Sequence, residues 1–167
     1  MAGGNTENRI MEEKIKMTVE QEKCASYRER LDAVEKLQQD PSEENLWYAV
    51  AAFQDCAFKT ATGLPFRYHL RKGKNGSWTR ELWVNRRENS KSITWSSIRL
   101  AFQNSLGIEG VVERLKALGD IRGISYIYPI FWRFGLIKVP EKAEKQMKVT
   151  EDGQVSFEND LSDKCFG

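Results

Sequence analysis

An antiparallel hairpin is the strongest local signal in this 167-residue chain. From 66 to 70 the order Phe-Arg-Tyr-His-Leu alternates apolar with polar, the two-residue period of a half-buried strand. Gly73-Lys74-Asn75-Gly76 follows as turn chemistry, with Asn75-Gly76 its stronger part. Residues 81–87 supply the returning strand. Phe66, Tyr68 and Leu70 point to one face, and Arg67, His69 and Arg71 to the other. If Leu82 and Val84 turn to the core, Glu81, Trp83 and Asn85 join the basic face. Trp83 then stands among Arg67, His69 and Arg71, provided neither strand carries a bulge.

The hairpin opens the most basic part of the chain. Between 67 and 99 lie nine cations, Arg67, Arg71, Lys72, Lys74, Arg80, Arg86, Arg87, Lys91 and Arg99, against Glu81 and Glu88. That local charge of +7 compares with +2 for the whole chain, because residues 1–60 carry −4 and residues 141–167 carry −3. A basic segment interleaved with aromatics is an electrostatic footprint for phosphate backbones. The same pattern also arises on a solvated strand whose charges block edge-to-edge pairing. Acidic ends could equally neutralise the basic middle within the chain.

Helices are expected on both sides. Residues 6–38 lack Pro and Gly and are rich in helix formers. Ile10, Met17, Cys24 and Leu31 recur every seven residues there, with Tyr27 and Val34 as a second seam in the last two heptads. Asp40 is read as the N-cap of the next helix, with Pro41 in its first position and Glu43 completing a capping-box-like pair. Leu46, Val50 and Phe53 form its buried face, beside Trp47, and the helix ends near Asp55. A third helix is capped by Thr94, stapled by Ile93 and Ile98, buried through Ile98, Phe102 and Leu106, and ended by Gly107. After an ambiguous stretch at 108–123, Ser125 opens a further helix with Pro129 in or near its first turn. Its packed face is Ile127, Ile130, Phe131 and Phe134. Residues 136–139 read as a short strand, and from Glu141 the chain turns polar and acidic.

Other chemistry is sparse. Cys24, Cys56 and Cys165 are widely spaced, with no CxxC pair, and read as reduced thiols in a cytoplasmic protein. A single His excludes two-His metal motifs. No P-loop or dinucleotide-binding glycine pattern occurs, so neither a cofactor nor a metal is expected. No stretch reaches the ~20 apolar residues of a membrane span. His69 could act as a general base oriented by Glu81, or simply sit in solvent on a basic strand.

Helix, glycine, helix, then Gly135-Leu136-Ile137 resembles the end of a winged-helix unit, in which a helix enters the major groove ahead of a strand. The gap between the two helices is longer than that pattern's turn, and the helix from Ser125 is apolar nearly all round, which fits a core better than a groove. The phrases Thr62-Gly63-Leu64-Pro65-Phe66, Lys91-Ser92-Ile93-Thr94 and Tyr128-Pro129-Ile130-Phe131 resemble an uncharacterised group of small proteins from mobile elements of Gram-positive bacteria. That resemblance implies a setting and carries over no functional residue.

The expectation is an α+β chain: helices packed on a small antiparallel β-hairpin, winged-helix-like in one form. It comprises a helical N-terminal extension at 1–38, a globular domain at 39–140 and a polar tail at 141–167. Its function is read as non-enzymatic binding of nucleic acid, DNA ahead of RNA. Arg67, Arg71, Lys72, Lys74, Arg86, Arg87, Lys91 and Arg99 contact phosphates and Trp83 stacks or wedges, with Trp78 and Trp95 as further aromatics. The alternative is a protein-interaction module, an inhibitor or adaptor, that docks through residues 6–38 and the basic face.

Overall fold

The computed structural model describes residues 25–85 and 92–149. The fold is α+β: the described residues form five α-helices with one two-stranded and one three-stranded antiparallel sheet. The chain divides into two compact units, with the boundary between Cys56 and Ala57.

The described residues of the first unit form a pair of helices, α1 (Tyr27–Gln39) and α2 (Glu43–Ala52). Helix α1 starts from a reciprocal capping box: Ser26 Oγ accepts from the Glu29 N–H, and Glu29 Oε2 accepts from the Ser26 N–H. Its buried face is Arg30, Ala33 and Leu37. Leu31 and Val34, placed on the heptad seam by the sequence, are only half-buried, and Tyr27 is exposed. The face is therefore rotated by one residue from the heptad reading. It follows the 3.6-residue period of a helix packed on one neighbour. Ile10, Met17 and Cys24, the rest of that seam, lie outside the described residues.

The expected cap at Asp40 moves two residues. Helix α1 runs through Gln39, so Asp40 closes its C-terminus, and Ser42 caps α2 by accepting from the Asn45 N–H. Asn45 Nδ2 then donates to the Asp40 carbonyl at 2.9 Å, which ties the turn. Leu46, Val50 and Phe53 are buried as expected, and the Arg30 guanidinium lies 5.8 Å from the centre of the Phe53 ring. Cys56 is buried and disulfide-bonded, which corrects the reading of three reduced thiols. Cys24 and Cys165, the other two cysteines of the chain, lie outside the described residues. A disulfide is at odds with a reducing cytoplasm.

The second unit holds both sheets. Strands β1 (Phe58–Lys59) and β2 (Pro65–Phe66) pair in register Phe58↔Phe66. Strands β3 (Tyr68–Lys72), β4 (Trp78–Val84) and β5 (Ser92–Thr94) form the larger sheet in that order. Tyr68, Leu70, Leu82, Val84 and Ile93 are buried on its inner face. Phe58 stacks between Phe66 and Tyr68, at 5.5 and 5.8 Å between ring centres.

Helix α3 (Trp95–Leu106) is capped by Thr94, whose Oγ1 accepts from the Ser97 N–H. Trp95, Ile98, Ala101, Phe102 and Ser105 are buried. Leu106 is 55% exposed, so the last inward position falls one residue earlier than expected, at Ser105, three residues after Phe102. The ambiguous stretch becomes a single 3₁₀ turn, Leu115–Leu118. Helix α4 (Ile124–Arg133) starts from Gly123, whose φ of 87° is left-handed and whose missing Cβ would stand 2.9 Å from Ile93 Cγ1. Pro129 lies inside this helix, past its first turn. Ile127, Ile130, Phe131 and Phe134 are buried, together with Tyr128 and Pro129. The strand expected at 136–139 is reduced to one parallel bridge, Val111↔Lys138. A glycine turn after α4 leaves too little extended chain for a ladder. Glu141–Met147, read as part of a polar tail, forms helix α5, and Met147 and Val149 are buried.

Two contacts fix α4 in this unit. The Tyr128 hydroxyl donates to the Val112 carbonyl at 2.7 Å, and burial raises its pKa above the ordinary tyrosine value. Arg133 Nη1 donates to the Ala57 carbonyl at 2.6 Å, and its guanidinium lies 4.8 Å from the centre of the Phe58 ring. The cation of α4 is thus engaged by β1 and the residue before it. With its middle buried, α4 is a core helix, and the helix-in-groove part of the winged-helix resemblance has no support. The hairpin also precedes the α3–α4 pair rather than following it.

Candidate nucleic-acid interface

Strands β3 and β4 and their turn carry the candidate site. The loop is Lys74-Asn75-Gly76, closed by Gly73 N–H to Ser77 O at 2.8 Å and Gly76 N–H to Gly73 O at 3.0 Å. Gly76 sits at φ 82°, so the turn is the three-residue kind with glycine in the left-handed position, rather than a two-residue Asn-Gly turn. Asn75 Oδ1 accepts from the Ser77 N–H at 3.1 Å and stiffens the loop.

Below the turn the ladder is irregular. Pairing runs Tyr68↔Val84 and His69↔Trp83, then resumes at Arg71↔Thr79 and Lys72↔Trp78. Arg80, Glu81 and Leu82 therefore stand against Leu70 alone. A bulge is the condition on which the face of Trp83 depends. The shift is two residues, so both strands keep their faces, and Trp83 lies where alternation puts it.

Three cations of the hairpin lie over aromatic rings. The Arg71 guanidinium is 3.8 Å from the centre of the Trp83 ring, and Arg71 Nε donates to His69 Nε2 at 3.3 Å. The Thr79 hydroxyl donates to the Arg71 carbonyl at 3.0 Å. Arg71 is thus held from three sides while remaining exposed. Lys72 Nζ lies 5.1 Å from the centre of the Trp78 ring, and Trp78 is 44% exposed. The Arg80 guanidinium lies 5.6 Å from the ring of Trp95, the first residue of α3. A cation over an indole at an exposed site gains roughly 0.5–1 kcal/mol, enough to bias a rotamer and leave the charge outward.

Arg71, Lys72 and Lys74 are all exposed and make no ion pair among the described residues. The site residues expected from the sequence divide accordingly. Arg71, Lys72 and Lys74 share the hairpin's distal half. Arg67 is half-buried at its root, where its N–H donates to Asn85 Oδ1 at 2.8 Å. Arg99 is exposed on α3, one turn after Trp95. Trp83 is half-buried, with Arg71 over its ring and its indole N–H buried without an acceptor among the described residues. It serves as a platform for Arg71, as the more exposed Trp78 does for Lys72. Arg86, Arg87 and Lys91 lie outside the described residues. His69 Nε2 accepts from Arg71. No group of three or more His, Cys, Asp or Glu placed to hold a metal occurs among the described residues. No described helix is long and apolar enough to cross a membrane.

Arg80 over Trp95 and the part played by Thr79 leave no local signal in the sequence. Trp95 reads there only as the start of a helix, and the fold alone brings it beside β4. No family model, curated protein or solved structure matches the chain.

Proposed function

We propose that this chain is a nucleic-acid-binding protein that meets the phosphate backbone with the β3–β4 hairpin. One observation carries the reading: Arg71 and Lys72 at the end of β3 and Lys74 in the loop lie together in the hairpin's distal half with no carboxylate partner among the described residues. Like charges gathered on one short arm repel one another. Blocking an edge needs one such charge, not three. Phosphates relieve the repulsion and release counterions, which gives affinity without sequence readout. Arg67 at the root and Arg99 on α3 extend the surface. Arg86, Arg87 and Lys91, which follow β4 in the sequence, belong to the same basic segment.

The test is fluorescence anisotropy of labelled random-sequence DNA, with the full chain, across a salt series. Binding whose log K falls linearly with log salt by several charges is the expected result. Absence of binding at low salt to duplex and single strand alike refutes the proposal.

A further inference from the structure

We infer that the hairpin takes B-form duplex DNA by entering its major groove, with one face towards each backbone; this rests on the nucleic-acid reading above. The distribution of charge over the two faces carries the inference. Arg71 and Thr79 are cross-strand partners, and so are Lys72 and Trp78 one position further out. Adjacent residues of a strand point to opposite faces. Arg71 therefore lies on the outer face with His69 and Trp83, and Lys72 lies with Trp78 on the face that carries the core nearer the root. Burial along β3 falls from Tyr68 and Leu70 to exposed Arg71 and Lys72, and along β4 from Val84 and Leu82 to exposed Arg80 and Trp78. The distal half thus stands clear of the core, with a cation on each face and Lys74 at its end.

A single-stranded backbone laid along such an arm meets one face and leaves the other cation unused. Stacking is also poorly served, because Arg71 already covers Trp83 and Lys72 lies over Trp78. A groove has phosphates on both walls. Face-to-face sheets stand about 10 Å apart, which measures one ribbon with its side chains. The major groove of B-DNA is about 12 Å wide and admits a two-stranded ribbon, whereas the minor groove is about 6 Å. The A-form major groove of duplex RNA is too deep and narrow. Width and two-sided charge together select duplex DNA.

The experiment is competition binding of the full chain, at one salt concentration, to duplex DNA, the single strand of the same sequence and the matching RNA duplex. Arg71→Glu and Lys72→Glu, one on each face, are measured alongside, with circular dichroism confirming that both fold. The expected result is at least tenfold preference for duplex DNA, and a tenfold or greater loss from either reversal. Bulky C5 substituents on the pyrimidines, which fill the major groove, should also weaken binding. Equal or tighter binding of single strand or RNA overturns the groove assignment and leaves nucleic-acid binding standing. So does full duplex affinity in Lys72→Glu. No binding to any of the three overturns both.

Discussion

Neutralising the distal cations gives a quantity that can be calculated in advance. In the triple variant Arg71→Gln, Lys72→Gln, Lys74→Gln each side chain stays polar and exposed, and no described ion pair is lost. The variant loses the Arg71–Trp83 and Lys72–Trp78 contacts and the Arg71–His69 hydrogen bond, all at the surface. If each cation neutralises one phosphate, the slope of log K against log salt should become shallower by about 2.7, at about 0.9 per phosphate on B-DNA. Between 50 and 200 mM salt the parent should therefore lose about 40-fold more affinity than the triple variant, because a fourfold salt range raised to that slope difference gives that ratio. Anisotropy titrations at four or five salt concentrations measure the slope. Circular dichroism and tryptophan emission show whether the hairpin is retained. A folded variant with the parent's slope would refute phosphate contact by these three residues, whatever its affinity.

Further tests concern the framework that holds the hairpin. Tyr128→Phe removes the donor to the buried Val112 carbonyl and should cost about 1–3 kcal/mol in urea unfolding at neutral pH. Burial raises the Tyr128 pKa, so the unfolded chain ionises first, near the ordinary value of about 10. The contribution is intact below that pH and is lost as pH rises towards the folded value, so parent and variant should converge above about pH 10. Constant separation of the two urea curves from pH 7 to 11 would contradict this. Reduction of the Cys56 disulfide should lower stability by roughly 2–4 kcal/mol, and peptide mapping without reductant should recover Cys56 joined to Cys24 or Cys165. Free thiol at Cys56 in the unreduced protein would exclude the bond.

Much of this architecture is legible where local chemistry acts alone. Alternation from Phe66 to Leu70 marks the buried faces, although the one strand expected there is divided between β2, which holds Phe66, and β3, which starts at Tyr68; Thr94 marks the start of α3, and the apolar sequence of α4 marks a core helix. The failures have physical causes. Asp40 and Ser42 are both good caps, and only the length of α1 decides between them. The Ser26-Tyr27-Arg28-Glu29 box is present in the sequence but is submerged in a long helix-forming run. Strands β1 and β2 are two residues each, too short to show a period. At the candidate site, alternation places Trp83 among cations, but alternation is blind to which cation covers its ring. The Cys56 bond leaves no trace in spacing at all.

The irregularity in β4 tests how the two faces are kept. Three residues, Arg80, Glu81 and Leu82, stand against Leu70, so the strand carries two residues more than a regular ladder needs. Because the side-chain period is two, an even excess preserves both faces and an odd one reverses them. Removing Arg80 and Glu81 together should let β4 pair regularly, with Trp78 still across from Lys72 and Leu82 still buried. It sacrifices the Glu81↔Thr94 pairing to β5 and the Arg80–Trp95 contact, a moderate loss. Removing Glu81 alone leaves an odd excess. Either Trp78 and Thr79 exchange faces or Leu82 and Val84, which are 1% and 3% exposed, turn to solvent. Exposing two such side chains costs about 1.5–3 kcal/mol each, comparable to much of a small unit's stability. The shorter deletion should therefore be the more damaging one in thermal unfolding and in DNA binding. If the two-residue deletion proves worse than the single one, parity is not what keeps Trp78 on the face of Leu82 and across from Lys72.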